Sequence, residues 1–344
     1  MKRLDNPPNP YVTAHHEWLE PPPPVKVEVF EEQARSIIAE NDSPDVGYRF
    51  SVNPYRGCQH GCIYCYARPT HEYLGFGAGS DFETRIVVKT NAAELLDHEF
   101  RAKSWKGELV AFSGVTDCYQ PLEAVYGLTR ACLEVCLRFR NPASVVTKSY
   151  LVVRDAAILS DLARETASRV MFSIPFRDPQ DARLLEPGAP TPQRRFEAMR
   201  RLTDAGVPTG IMVAPIIPGL NDRDIPELLA RAADCGASAA GCIALRLPGS
   251  VEDVFLSRLR KVMPLRYERI EHRIREIRGG ALNDGRFGER MHGRGTYWDS
   301  IMQLFSVAAR RHGLTDSMET REECTFRVPP EPVTPGAQFE LPFG

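Results

Sequence analysis

From Arg85 onward, short apolar runs with the period of a buried strand alternate with longer segments of helical period. This alternation limits the architectures open to the chain more than any other feature. Strands are expected at 85–89, 109–113, 144–147, 169–174, 209–214 and 241–245. The helices expected between them are 91–101, opened by Thr90 or Asn91 as a cap, then 122–139, 155–165, 192–205 and 225–235. An earlier strand is expected at 48–52, where Tyr48, Phe50 and Val52 alternate with Arg49 and Ser51. Near-continuously apolar strands separated by helices pair in parallel, and right-handed crossovers curl such a sheet toward a barrel. The expected fold class is α/β, a partial (β/α)6 TIM-type barrel with N- and C-terminal extensions. An open doubly wound sheet is the alternative. The division expected is a proline-rich extension (1–47), a core barrel (48–250) and a helical extension with an extended tail (251–344). Within the first extension, 31–39 has a short helical period, and the prolines around it favour an extended arm.

Between the first two strands the chain reads NPYRGCQHGCIYCYARP over residues 53–69. Cys58, Cys62 and Cys65 stand three and then two residues apart on a Gly-punctuated loop, so their sulfurs can converge on one small object. Three thiolates with no fourth in the loop suit an iron-sulfur cubane with one iron left open. A structural zinc ion wants four closed ligands, and zinc held by these cysteines with His60 or a distant residue is the competing reading. Three merely buried cysteines are a third, opposed by Gly57 and Gly61, which shape a loop and not a packed helix.

Composition narrows the remaining classes. With 344 residues, 43% hydrophobic and 26% charged, the chain can bury a large core. A formal charge of -2 exerts no global pull toward nucleic acid or membrane, so a polyanion would need a local basic patch. No apolar run approaches the roughly 20 residues that span a bilayer, and the N-terminus lacks the apolar core of a signal peptide. Nine cysteines, an odd number, point to a reducing compartment and not a disulfide framework. A soluble, cytoplasmic protein is expected.

The spacing Cys58-x3-Cys62-x2-Cys65, with Tyr64 just before the last cysteine, resembles the signature of radical S-adenosylmethionine enzymes. The longer run from 53 to 69 is similar to the branch containing spore photoproduct lyase, and the resemblance covers about residues 45 to 250. It implies a [4Fe-4S] cluster on Cys58, Cys62 and Cys65 whose open iron chelates S-adenosylmethionine. One electron, from a reductant such as flavodoxin or ferredoxin, would then release a 5'-deoxyadenosyl radical that takes hydrogen from an unknown substrate. The remaining cofactor contacts are expected just after successive strands, where ligands of such folds sit. Thr116 and Asp117 would face the methionine amine, Lys148 the carboxylate, Ser173 the ribose and Ala214 the adenine, with Tyr64 and Tyr66 as aromatic contacts.

In the lyase branch a cysteine near the second-strand turn returns a hydrogen atom to the product. Gly114 stands where that cysteine belongs, which counts against thymine-dimer repair. Cys118 is the candidate in its place, weighed against a packing role. The loop 177–195 is long enough to cover the barrel mouth, although Arg194 and Arg195 fit the solvated first turn of a helix. A basic helix over 264–278 precedes Arg286, Arg290 and Arg294, which could grip phosphates. Interleaved Glu268, Glu271 and Glu276 suggest salt-bridged exposure of that helix instead. Three functions therefore compete: a radical enzyme of unknown substrate, the same chemistry directed at nucleic acid, and a zinc-stabilised non-catalytic binding module.

Overall fold

The computed structural model describes residues 6–12, 26–316 and 324–330. The strands are β1 (Glu28–Glu32), β2 (Ile38–Glu40), β3 (Phe50–Val52), β4 (Tyr55–Arg56), β5 (Arg85–Lys89), β6 (Val110–Phe112), β7 (Ala143–Thr147), β8 (Arg169–Ser173), β9 (Thr209–Ile216) and β10 (Ala239–Ala244). The α-helices begin with α1 (Ser80–Thr84), α2 (Ala92–Arg101), α3 (Glu123–Tyr126), α4 (Leu128–Phe139) and α5 (Ala156–Glu165). They continue with α6 (Pro179–Leu185), α7 (Pro192–Asp204), α8 (Ile225–Asp234), α9 (Val251–Val262), α10 (Pro264–Ile277) and α11 (Gly295–Arg311).

Seven strands form the main sheet in the order β10-β9-β8-β7-β6-β3-β2. The six from β3 to β10 run parallel, and β2 lies antiparallel against β3 at the edge. Among the described residues the two outer strands are not paired with each other, so the sheet is a barrel left open on one side. This is the expected α/β partial barrel. Its main core lies between the sheet and the surrounding helices, where Phe112, Val145, Val170, Phe172, Ile211 and Val213 meet Leu133, Leu159, Phe196 and Leu229. Each such large apolar side chain contributes about 1.5–3 kcal/mol on burial.

A second apolar cluster fixes the position of the cysteine loop. Ile63 and Tyr64 of the loop pack with Leu185 of α6, Phe255 of α9 and Ile270 of α10. The segment beyond the barrel therefore builds the floor on which the loop rests.

Four local expectations need correction. Residues 31–39 are not helical: β1 pairs in parallel with β5 and β2 with β3, so part of the N-terminal segment completes two sheets. The pairing is reinforced by Glu99, whose carboxylate accepts from Ile37 N and Ile38 N at 2.9 and 3.3 Å. Sheet edges needing partners outweighed a weak local period. The helix expected over 122–139 is broken at Gly127, which has φ 63° and separates α3 from α4. Asn91 is the residue before α2, but its side chain bonds Ala34 and not the helix end. The loop 177–195 contains α6 and is tied down along its length, as described below.

Asn9 of the arm donates to Glu72 O and Phe76 O at 3.1 and 2.9 Å. Residues 324–330 are extended, with Phe326 stacked on Phe139 and Arg327 N donating to Phe139 O. The prolines at 21–24 and the tail from 331 lie outside the described residues. No helix among the described residues is long and apolar enough to cross a membrane.

Candidate active site

The cysteine loop leaves the C-terminal end of β3, the end of a parallel barrel at which ligands bind. Its backbone is held by side chains that the sequence reading did not single out. Arg68, fully buried, donates to Cys62 O at 3.0 Å, Gly61 O at 3.1 Å, Ala78 O at 2.9 Å and Gly79 O at 2.8 Å. Its charge is balanced by Glu83 at 2.5 Å. Gln120 grips the other side, accepting from Gln59 N at 3.0 Å and donating to Gly57 O at 3.1 Å. Gly57 has φ 81°, and an added Cβ would meet Phe82 O at 2.9 Å, so the turn into Cys58 admits no side chain.

The 177–195 excursion presses on the same loop. Ile63 N donates to Leu185 O at 3.0 Å, and Gly188 N donates to His60 O at 2.9 Å. A Cβ on Gly188 would lie 2.1 Å from Gln59 O, so glycine is the residue that permits this approach. The segment expected to cover the barrel mouth is thus a fixed buttress of the cysteine loop.

Cys58 and Cys62 are buried, Cys65 is half-buried, and all three are free thiols. Burial raises all three pKa values. Cys62 is pushed up to about 12, with Lys148 opposing the shift and Glu186 and Cys65 adding to it. Cys58 is raised by burial, then by Asp117 and the other two thiols. Thiols that feel one another in a dry site become thiolates only against a strongly cationic group, as a metal-sulfur cluster provides. Among the described residues no three His, Cys, Asp or Glu side chains are gathered to hold a single metal ion. Three thiolates without a fourth ligand suit a cluster with one open iron better than a closed tetrahedral zinc site. His60, considered as a fourth zinc ligand, has its Nδ1 3.3 Å from the Asp117 carboxylate.

The structure places the other expected site residues as follows. Asp117 is an organiser of its turn. Oδ1 accepts from Tyr119 N at 2.9 Å and Thr147 Oγ1 at 2.7 Å, while Oδ2 accepts from Lys148 N at 2.7 Å and faces His60. A carboxylate offers about four lone-pair sites, so these partners leave none for a ligand amine. Thr116 is buried, with its hydroxyl donated to Tyr55 O at 3.3 Å. Burial works to raise the Asp117 pKa, but His60 and the donors from Lys148 and Thr147 hold it at about 2, against 3.8 for a free group. A depressed carboxylate adds stability that is complete above the unfolded value and lost as pH falls through the folded one. Chemical denaturation should accordingly show about 2 kcal/mol lost between pH 5 and pH 2 that Asp117→Asn does not show. An unchanged pH profile in the variant would remove this role.

Lys148 extends from the end of β7, its side chain 16% exposed, with Nζ 3.9 Å from Glu186 and 5.8 Å from the centroid of the Tyr64 ring. Tyr64 is buried and donates its hydroxyl to Glu186. Tyr66 is 47% exposed and donates to Gly114 O at 2.6 Å, bridging the cysteine loop to the turn after β6. Desolvation still pushes its phenol upward. Ser173 Oγ donates to Ala214 O at 3.1 Å, so these two residues join the ends of β8 and β9. Cys118 is fully buried in the main core, its N–H donating to Ser113 Oγ and its carbonyl accepting from Thr129. That placement favours the packing role.

Glu186 and Arg195 were missed as a pair. Glu186 is buried and receives Arg195, Tyr64 and Lys148. Burial alone would raise its pKa, but Arg195 and Lys148 outweigh it and the net shift is downward. Arg195, expected in a solvated helix turn, is instead 1% exposed and also donates to Pro190 O and Ser173 O. Arg194 does stay exposed, paired with Glu197. The only sequence signal was the clustering of Glu186 with Pro187 and Gly188, and periodicity carries no information about which loop residues turn inward.

A model of the Radical SAM superfamily matches residues 52–232. An uncharacterized protein of Mycobacterium tuberculosis (strain ATCC 25618 / H37Rv) is 40% identical over 219 residues, covering 63% of this chain and 64% of its own length. The chain thus spans slightly less than two thirds of that relative. A protein named Radical SAM Nalpha-GlyT isomerase, from Pseudomonas phage M6, is 29% identical over 189 residues, covering 54% of this chain and 37% of its own. Among solved structures, spore photoproduct lyase complexed with dinucleoside spore photoproduct superimposes with a TM-score of 0.60 at 18% identity, over 83% of this chain and 81% of that one. The likeness to that structure is one of fold.

Proposed function

Since the chain belongs to the radical S-adenosylmethionine superfamily, we propose that Cys58, Cys62 and Cys65 hold its [4Fe-4S] cluster and that S-adenosylmethionine binds across the strand ends beside it. Bound there, the cluster would supply the single electron needed for reductive cleavage of S-adenosylmethionine. The observation that carries this reading is that three thiols, two buried and one half-buried, feel one another's charge at the ligand-binding end of the barrel, on a loop locked by Arg68, Gln120 and Gly188. Family membership sets aside the non-catalytic zinc module.

This chain's own residues bind, orient and exclude water. Lys148 presents an ammonium beside Cys62 and is the residue for the methionine carboxylate. The geometry favours Asp117 as the residue that orients Lys148 and the His60 side of the loop. Ser173 and Ala214 form the wall for the nucleoside, and Tyr66 the rim. A reductant is required, as for the family; flavodoxin or ferredoxin would serve.

A nucleic-acid substrate is the second reading. It is favoured by the fold shared with a lyase bound to a dinucleoside. Against an extended phosphate groove, Arg286 pairs with Asp284, Arg290 with Asp45, and Arg294 with Asp284 and Glu289. On α10, Arg273 pairs with Glu276 and Arg275 with Glu271, as the interleaved charges suggested.

The test is anaerobic turnover with dithionite. Reconstituted protein is expected to release 5'-deoxyadenosine from S-adenosylmethionine, and the unreconstituted protein none. Intact S-adenosylmethionine in a sample with a full iron complement would overturn the proposal.

A further inference from the structure

Arg246 lies two residues beyond β10, at the same end of the barrel as the cysteine loop. Its guanidinium sits 5.5 Å from the centroid of the Tyr66 ring, and Tyr66 in turn reaches the turn after β6. The ends of β3, β6 and β10 therefore meet around one half-buried cation. A guanidinium has five N–H donors. Among the described residues the hydrogen-bond partner of this one is Met291, whose sulfur, a weak acceptor, is 3.6 Å from Nη1.

The nearby acid is not free to neutralise it. Asp45 already accepts from Arg290 and from Gly288 N. Burial, then the neighbouring Arg290, push the pKa of Arg246 down, with Tyr66 and Asp45 opposing only in part. Arg278, 8% exposed, adds a further cation and spends its donors on the carbonyls of Leu245, Glu289, Arg290 and His292. An arginine held in a positive field, with its guanidinium over a half-exposed aromatic ring and a weak sulfur acceptor as its partner, suits a planar or tetrahedral oxyanion bound in bidentate fashion.

We propose that Arg246 is the anion receptor of the barrel mouth and takes a phosphate or carboxylate group of the substrate. The proposal rests on the reading of that mouth as the place where the substrate meets the cofactor. Phosphate and carboxylate share the chemistry that Arg246 recognises, and the methionine carboxylate of S-adenosylmethionine is a third source of it.

The experiment labels the anaerobically reconstituted full chain with phenylglyoxal and follows Arg246 by peptide mapping, alone and with inorganic phosphate, acetate or S-adenosylmethionine. Arg246 is expected to react ahead of ion-paired Arg290, and phosphate or acetate to slow its labelling about tenfold, as a charge-assisted pair of hydrogen bonds implies. The stronger protector identifies the group. Equal protection by S-adenosylmethionine would assign Arg246 to the methionine carboxylate and overturn the proposal, as would labelling that no anion slows. Calorimetry with inorganic phosphate gives a second readout, in which Arg246→Gln abolishes binding and Arg246→Lys retains part of it. Binding unchanged in Arg246→Gln would equally overturn it. Iron content and absorbance of the same samples report on the cluster separately, so a colourless protein that still shows phosphate-protected Arg246 would indict the metal assignment and not this one.

Discussion

Cys62→Ala, reconstituted with iron and sulfide in the absence of oxygen, is expected to lose the four-iron absorbance and to form 5'-deoxyadenosine more than about a thousandfold more slowly than the wild type. That factor corresponds to about 4 kcal/mol of barrier. The reason is ligand count. On the proposed assignment, three thiolates would leave one iron open for the cofactor, and two would not hold the cluster in that form. Cys62 is the informative choice because its thiol feels both Lys148 and Glu186, placing it at the centre of the charged network. The fold should survive, since Arg68 and Ile63 hold the loop through backbone groups that the substitution leaves in place. A thermal melt close to wild type would show that. Full iron content and undiminished cleavage in Cys62→Ala, and likewise in Cys58→Ala and Cys65→Ala, would sink the assignment.

Glu186→Ala is expected to destabilise the protein by about 3–5 kcal/mol, measured by chemical denaturation. Removing one partner of a buried ion pair leaves the other as an uncompensated charge. Here Arg195 would remain 1% exposed with two carbonyls and no counter-ion, and Tyr64 would lose its acceptor. Glu186→Gln keeps one acceptor oxygen for Arg195 and turns a donor toward the Tyr64 hydroxyl, without the charge, and should fall between. Replacing both residues together, Glu186→Leu with Arg195→Met, should cost less than either loss alone, because the desolvated charges leave as a pair. A double variant as unstable as the sum of the two singles would show that the pair stabilises by packing and not by mutual neutralisation.

These two outcomes separate two parts of the site. The thiols were legible in the sequence because their chemistry depends on spacing within eight residues, which the chain carries locally. The network that fixes them was not. Arg68 and Glu83 are 15 residues apart, and Tyr64 and Glu186 are 122 apart. Nothing in the local pattern of Arg195 distinguished it from Arg194, its exposed neighbour, because both open the same helix and only the packing of α6 decides which one points inward.

The same division holds for the basic residues beyond the barrel. As a sequence, Arg286, Arg290 and Arg294 look like a phosphate grip, whereas each meets an acid in the structure and Arg246, which drew no notice, meets a methionine sulfur. For Arg290 the acid, Asp45, lies 245 residues away.

What the sequence by itself determined is the strand and helix order, and with it the parallel open barrel and the end of it at which ligands bind. It also carries the spacing of the three cysteines on which the proposed cluster rests. These follow from periodicity and short-range spacing, which act within a turn or a strand. Only the tertiary structure decided that β1 and β2 complete the sheets, that the 177–195 segment is a buttress, and which charges are spent on one another. Such outcomes depend on desolvation and on partners brought together from distant parts of the chain, and a charge buried by the fold must find its counter-ion wherever the fold delivers one.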